Sequence, residues 1–382
     1  MSERGAGERA EPDKGQWQPS SNKWLIAVVV TLAAFMEILD TTIVNVSLTH
    51  IAGSMSVSYD DATWSLTSYL VANGVVLTIS GWLARVLGRR RYFLICVAMF
   101  AVASAACGLS RNLFELIVAR TVQGFFGGGL QPTQQAILLD TFGPAQRTRA
   151  FGLTAVATVV APAIGPALGG WITDNYSWPW IFFINIPVGV LTFFAVMHLV
   201  EDPSWTRARG LARIDVIGLS LITLGLGCLQ IMMDRGEDDD WFGSNFILLF
   251  AALSALGILG AIAWLLYEKR PVVNIRVLGD RNFAMASILM AAMGFLLYGT
   301  AVAIPQLAQQ VLGYDATLAG LVLSPGAALL IILIPIVERL QRVVPTKYII
   351  ATGFFILGSA MFYSHRLTPN VSFNELVIMR AA

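Results

Sequence analysis

The sequence of 382 residues has few of the side chains from which catalytic and metal sites are built. It contains only three histidines and three cysteines, and neither set has the spacing of metal ligands or of a nucleophile beside its base. The odd number of cysteines, all inside apolar segments, argues against a disulfide framework. These shortages disfavour an enzyme, a metal site and a bound cofactor.

Charge is also scarce, at 13% of the residues against about 25% in soluble domains. The net charge of +1 says little about partners, and we expect no nucleic acid. Hydrophobic residues make up 56% of the chain, and the mean hydropathy of +0.68 predicts an all-α polytopic membrane protein. Apolar stretches of at least about 17 residues predict eleven membrane spans, at 24–47, 63–83, 92–109, 113–139, 150–172, 180–200, 214–234, 246–267, 283–304, 318–337 and 347–363.

The distribution of cations predicts the orientation in the membrane. Twenty lysines and arginines lie in the polar tail of residues 1–23 and in the loops on the same side of the membrane as this tail. The loops on the opposite side of the membrane hold three. Because loops rich in lysine and arginine stay in the cytoplasm, the N-terminus is predicted to be cytoplasmic and the tail disordered. Residues 375–382 resemble the start of a twelfth span and echo residues 115–120, which favours a duplicated architecture and a chain that is a fragment.

Two carboxylates and one arginine lie inside these spans. Asp40 is about 25 Å along span one, and Glu37 precedes it by three residues on roughly the same helix face. Arg120 is about 10 Å from the outer end of span four, at a depth similar to that of Asp40. Because a charge inside the bilayer is costly, we expect Asp40 and Arg120 to pair if their helices touch.

Such a carboxyl group can couple transport to protons. Burial raises a carboxyl pKa and a neighbouring guanidinium lowers it, so a group that alternates between two settings binds and releases a proton. We therefore expect Asp40, Glu37 and Arg120 to serve proton coupling. The alternatives are a static ion pair between helices, and contact of Glu37 with a cationic substrate.

Glycine and proline inside span five form a second signal. Gly165 and Gly169 are small residues spaced for close helix packing, and Gly170 follows them. Pro162 and Pro166 each remove a backbone donor and bend the helix. The pattern predicts a pivot between conformations, or ordinary tight packing without movement.

A short basic loop joins spans two and three. The loop has a glycine at each end, Gly81 and Gly88, and Arg89 follows Gly88. This loop can latch two helices on the cytoplasmic side, or it can simply set the topology. Glycines 127–129 in span four lack the lysine of a phosphate loop and predict close packing. Polar residues within spans line a candidate substrate cavity or form hydrogen bonds between helices, and they are Asn45, Asn73, Gln123, Gln131 and Gln306.

Several of these segments together resemble one family. Residues 39–46 resemble the first-helix signature of the 14-helix drug:proton antiporter branch (the EmrB/QacA type) of the major facilitator superfamily. Residues 81–91 resemble the superfamily's loop between helices two and three. Residues 120–124 resemble its fourth-helix motif, and residues 165–170 resemble the antiporter motif of helix five. Further similar segments are 180–189, 213–218, 234–236 and 240–242.

The resemblance implies an N-terminal six-helix bundle at 24–200, a linker with two extra helices at 201–268 and an incomplete C-terminal bundle at 269–382, so that 11 of 14 helices are complete. It implies proton-driven export of hydrophobic drugs across a bacterial inner membrane, with a periplasmic membrane-fusion adaptor and an outer-membrane channel as partners. The alternatives are a dedicated exporter of a lipid, fatty acid or metabolite, and a truncated membrane protein without transport activity. Departures from the family pattern are Arg85, Thr49 and Thr78.

Overall fold

The computed structural model describes residues 19–203, 215–269, 271–307 and 339–364, with isolated positions between 312 and 337 and at 375. These residues form helices and connecting turns. The α-helices, in chain order, are α1 Lys23–Met55, α2 Tyr59–Leu87, α3 Arg89–Leu109, α4 Leu113–Gly127, α5 Leu130–Thr141, α6 Pro144–Asn175, α7 Trp180–Phe183, α8 Asn185–Leu199, α9 Val216–Arg235, α10 Asn245–Tyr267, α11 Arg281–Gln306 and α12 Thr346–Ser364.

Seven spans in the described part of the chain are long and apolar enough to cross a membrane, and the bent helix α6 makes an eighth. The prediction of an all-α polytopic membrane protein is confirmed. The count of eleven spans stays a prediction, because the span at 318–337 and the segment at 375–382 lie outside the described residues apart from isolated positions.

The predicted fourth span at 113–139 is not one helix. It breaks into α4 and α5 at Gly128 and Gly129, where the ladder of hydrogen bonds is interrupted. Glycine is a weak helix former, and Pro132 has no N–H to donate to the carbonyl of Gly128. Predicted span six is likewise α7 followed by α8, because Pro187 cannot donate to Phe183.

Helix α1 lies at the centre of the N-terminal bundle, between α6, α8, α2 and α5. Helix α6 bends by 41° between Pro144–Pro162 and Ile164–Asn175, as expected from Pro162 and Pro166. Its outer half packs closely on α1: a methyl group at Gly165 would overlap the Thr42 hydroxyl, and one at Gly169 would lie 3.1 Å from the Ile43 carbonyl oxygen. Glycine at these positions therefore permits the contact between α1 and α6.

Gly165→Ala is expected to lower stability, although alanine is the better helix former by about 1 kcal/mol. The added methyl group displaces the Thr42 hydroxyl, which donates to the carbonyls of Ile38 and Leu39 at 3.2 and 2.9 Å. Overpacking of this kind costs about 1–3 kcal/mol. The melting temperature of the purified protein measures the effect. The matched control is Gly53→Ala, where the methyl group has no neighbour within 4 Å; equal melting temperatures for the two variants would contradict the packing argument.

Helices α9 and α10 pack against each other through Gly225 and Gly257. Asp215 caps α9 by accepting from Gly218 N at 2.9 Å, and it also accepts from Trp264 Nε1 on α10 at 2.8 Å. At the outer end, Arg235 holds α9 against α2 by donating to the Asp60 carbonyl at 2.9 Å and to Thr63. The pair is thus attached to the N-terminal bundle through α2, and the predicted domain boundaries stay predictions.

Candidate intramembrane site

The two carboxylates of α1 are both buried but have different partners. Glu37 is 5% exposed and Asp40 is 1% exposed. Asp40 Oδ2 accepts a hydrogen bond from Arg120 Nη1 at 2.6 Å, and neither side chain of this ion pair is accessible to solvent. The pairing expected from their similar depths is therefore present, between α1 and α4.

Neutral polar groups complete the surroundings of Asp40. Its Oδ1 accepts from Gln123 Nε2 at 3.0 Å and from Asn185 Nδ2 at 2.7 Å. The same two amides donate to the Ser104 hydroxyl at 3.2 and 3.0 Å, and that hydroxyl donates to the Phe182 carbonyl at 3.0 Å. We call Asp40, Arg120, Gln123, Asn185 and Ser104 the Asp40 cage; it joins α1, α3, α4 and α8.

Arg120 is held on several sides. Nη1 donates to Gln123 Oε1 at 2.7 Å as well as to Asp40, and Nε donates to the Ser65 carbonyl at 3.3 Å. The guanidinium lies 4.1 Å from the centroid of the Tyr69 ring, a cation–π contact. Among the described residues Nη2 has no hydrogen-bond partner. A buried pair of this kind adds little net stability, but loss of one partner leaves an uncompensated charge.

Glu37 forms a second cluster. Its Oε1 accepts from Asn73 Nδ2 at 2.9 Å and its Oε2 from Gln131 Nε2 at 2.8 Å, which joins α1 to α2 and α5. Both amides are half-buried. The spacing of three residues turns Glu37 about 60° around α1 from Asp40, so the two carboxylates meet different neighbours. We call Glu37, Asn73 and Gln131 the Glu37 cluster.

The glycines at the end of α4, together with Gly128 directly after it, bring both clusters against α2. A methyl group at Gly124 would overlap the Tyr69 carbonyl oxygen, and one at Gly128 would overlap that of Asn73. At Gly127 it would lie 2.9 Å from the Tyr69 hydroxyl oxygen. The interpretation of this glycine run as close packing is confirmed.

Of the predicted basic loop at 81–91, only Gly88 lies between helices, because Gly81 belongs to α2 and Arg89 begins α3. The arginines of this segment make contacts on the cytoplasmic side. Gly88 has φ 86°, a conformation that favours glycine and lets α3 begin directly after α2. Arg89 pairs with Asp140 at the end of α5, and Arg90 N donates to Asp202 Oδ1 at 2.9 Å. Gly81 has open space around it, because a methyl group there would have no neighbour within 4 Å. Arg89 and Arg90, the first residues of α3, thus join this helix to α5 and to the segment after α8.

The remaining predicted residues fall in several environments. Gln123 is fully buried and donates to Asp40 in the Asp40 cage, which agrees with the alternative of a hydrogen bond between helices; its role in a substrate cavity stays a prediction. Asn45 is exposed, and the side chain of Gln306 lies outside the described residues. The sequence analysis did not identify Asn185 or Ser104 as site residues. Asn185 lies in the segment at 180–189 that resembles the family, but nothing in that segment distinguishes it from its neighbours. For Ser104 the sequence holds no signal.

Comparison with known proteins supports one family. The model of the Major Facilitator Superfamily matches residues 30–379. The chain is 38% identical to the multidrug export protein EmrB of Escherichia coli K12 over 351 residues, which are 91% of this chain and 68% of that protein. It is 37% identical to the fatty acid resistance protein FarB of Neisseria gonorrhoeae over 339 residues, 88% of this chain and 66% of FarB.

Solved structures show the same fold at low sequence identity. The peptide transporter POT in complex with sulfate has a TM-score of 0.60 at 16% identity, covering 93% of this chain and 78% of that one. The proton:xylose symporter XylE has a TM-score of 0.55 at 15% identity, covering 82% and 68%. The chain therefore belongs to the major facilitator superfamily, as a multi-pass transporter of the inner membrane and not an enzyme.

Proposed function

We propose that the protein exports hydrophobic drugs and other toxic compounds across the inner membrane in exchange for protons. The observation that carries the proposal is the buried ion pair of Asp40 and Arg120, because ionisable groups are retained inside membrane spans chiefly for function. The names of the curated relatives, multidrug export protein EmrB among them, favour drugs as the substrates.

Protonation of Asp40 is the event that we propose for coupling. In the structure Asp40 is paired, and a proton on its carboxyl group would remove the charge that holds Arg120 Nη1 at 2.6 Å. The contact between α1 and α4 would then weaken, while α1 keeps its close contact with α6 at Gly165 and Gly169. One proton moving across 100 mV supplies about 2.3 kcal/mol, enough for a roughly fifty-fold substrate gradient.

A tripartite assembly is the second part of the proposal. We infer that the chain is the translocating subunit, with a periplasmic membrane-fusion adaptor and an outer-membrane channel as partners. This part rests on the resemblance to EmrB-type exporters. A second candidate substrate is a fatty acid, which the similarity to the fatty acid resistance protein FarB favours.

The function is tested with the full-length protein in proteoliposomes under an imposed proton gradient. We expect uphill movement of a hydrophobic fluorescent drug, opposite proton movement reported by a lumenal pH dye, and loss of both on addition of a protonophore. A long-chain fatty acid in the same vesicles compares the two substrate classes. Uphill drug movement that persists with the protonophore would rule out proton coupling.

A further inference from the structure

We propose that helices α9 and α10 support α2 on the side turned away from the intramembrane site, and that Asp234 and Arg235 are positioning residues for this site. We call α9 and α10 the brace. The two residues act on the site through α2. The effect of the brace on export rests on the proposed function, whereas its effect on the order of α2 does not.

The first argument is the face that α2 turns to the site. Ser65, Tyr69 and Asn73 are spaced by four residues, so they lie on one face of the helix. The Ser65 carbonyl accepts from Arg120 Nε at 3.3 Å, and the Tyr69 ring lies 4.1 Å from the guanidinium. Asn73 Nδ2 donates to Glu37 Oε1 at 2.9 Å. This face of α2 thus supplies two partners to Arg120 and one to Glu37.

The second argument is that α9 covers the opposite face of α2. The residues of α2 that contact α9 also follow a helical spacing, and they are Asp60, Thr63, Trp64, Thr67 and Val71. At about 100° per residue, the mean direction of this set is about 180° from that of Ser65, Tyr69 and Asn73. Helix α2 therefore lies between the intramembrane site on one side and α9 on the other.

Arg235, the last residue of α9, holds the outer end of α2. Its Nη1 donates to the Asp60 carbonyl at 2.9 Å and to the Thr63 hydroxyl at 2.8 Å. The guanidinium lies 5.1 Å from the centroid of the Trp64 ring, and the arginine side chain is only 11% exposed. Because hydrogen bonds from a charged donor are about twice as strong as neutral ones, these contacts fix the first turns of α2.

Two further contacts extend the interface towards the middle of the membrane. The hydroxyl of Thr67, a residue without exposed surface, donates to the Asp234 carboxylate. Farther along the two helices, Gly227 lies against Val71: a methyl group on this glycine would be 3.5 Å from Val71 Cγ1, an ordinary packing distance. The interface with α9 therefore runs along the same turns of α2 that face the site.

Helix α10 stiffens α9. A methyl group at Gly225 would lie 2.7 Å from the Ile258 backbone nitrogen, so the two helices are in close contact along their length. Asp215 joins their inner ends by accepting from Trp264 Nε1 at 2.8 Å. Two helices that are joined in this way form a stiffer support for α2 than a single helix would.

The site depends on this support because its bonds to α2 have little tolerance. The bond from Arg120 to the Ser65 carbonyl is 3.3 Å long and that from Asn73 to Glu37 is 2.9 Å long. Hydrogen bonds of this kind are lost beyond about 3.5 Å, so a displacement of α2 by about 1 Å breaks both. Without the brace, Arg120 would keep its bonds to the Asp40 cage but lose those to α2.

The test is amide hydrogen exchange of the full-length protein in nanodiscs, followed for each helix by mass spectrometry. Exchange reports how often the backbone hydrogen bonds open. Arg235→Ala should speed exchange in α2 by about tenfold or more, the effect of losing a charged donor, and should also speed it in α4 around Arg120. Exchange in α12 should stay as in the wild type. Arg111→Ala, the same change at an exposed outer residue, is the matched control and should leave every helix unchanged.

A disulfide between α2 and α9 supplies the rescue. Val71→Cys with Gly227→Cys is made in a protein whose three native cysteines are replaced by alanine. The contact at 3.5 Å puts the pair within reach of a disulfide, whose Cβ atoms are about 3.5–4.5 Å apart. When Arg235→Ala is added, the oxidised pair should return exchange in α2 to the level before that change, and the reduced pair should not. Uphill export by this variant should be recovered on oxidation as well.

Three results would overturn the proposal. They are unchanged exchange of α2 in Arg235→Ala, a rise of equal size in all helices including α12, and a disulfide that does not form or does not restore α2. The second result would mean that Arg235 contributes only to overall stability. Exchange is measured without a substrate or a proton gradient, so failure of the brace is distinguishable from failure of the proposed function.

Discussion

Asp40→Asn is expected to reduce uphill export to the level of protein-free liposomes while exchange of substrate down its gradient continues. Asparagine has the shape of aspartate and still offers Oδ1 to the donors of Gln123 and Asn185, at 3.0 and 2.7 Å in the structure. It cannot exchange a proton, so the variant resembles the protonated state permanently. Uphill export is measured under an imposed proton gradient, and exchange is measured with equal pH on both sides.

The two assays separate proton coupling from a static ion pair. If the Asp40–Arg120 pair only joins α1 to α4, the substitution leaves Arg120 as an uncompensated buried cation, and both activities fall with the stability of the protein. If Asp40 carries the proton, the neutral form belongs to the transport cycle and exchange survives. Asp238→Asn, the same change at an exposed residue near Arg235, is the control and should retain both activities. Full uphill export by Asp40→Asn would remove Asp40 from the coupling mechanism.

The pairing of Asp40 with Arg120 was predictable because depth in a membrane is a one-dimensional coordinate. The rise per residue and the loop charges place two residues at one height, and the cost of burial then brings opposite charges together. The structure confirms this contact at 2.6 Å. The same reasoning cannot find Ser104 or Asn185, because the face that α3 or α8 turns inward depends on how all the helices pack.

Glu37 shows a second limit of sequence reasoning. A spacing of three residues suggested one face shared with Asp40, yet a rotation of about 60° is enough to give Glu37 the amides of Asn73 and Gln131 in place of Arg120. The break at Gly128 and Gly129 was missed for a related reason. Hydropathy shows that a segment is apolar, but it does not show whether the backbone hydrogen bonds of a helix run through the segment without a break.

Arg120→Ala is expected to abolish transport and to destabilise the protein by about 3–5 kcal/mol, the usual cost of breaking a buried ion pair. The change removes the two hydrogen bonds from Nη1, to Asp40 and to Gln123, and the cation on the Tyr69 ring. The melting temperature of the purified protein and uphill export measure the two effects. Export at the wild-type rate would exclude Arg120 from the mechanism.

The double variant Asp40→Asn with Arg120→Gln separates stability from function. It removes both charges and keeps polar side chains of similar shape, so neither buried group is left with an uncompensated charge. The large cost of breaking a buried ion pair comes from the charge that is left uncompensated, and the double variant leaves none. We therefore expect the melting temperature to return towards the wild type while uphill export stays absent. Recovery of export along with stability would show that the pair serves only to hold α1 against α4, since a protein without either ionisable group would then still couple protons to transport.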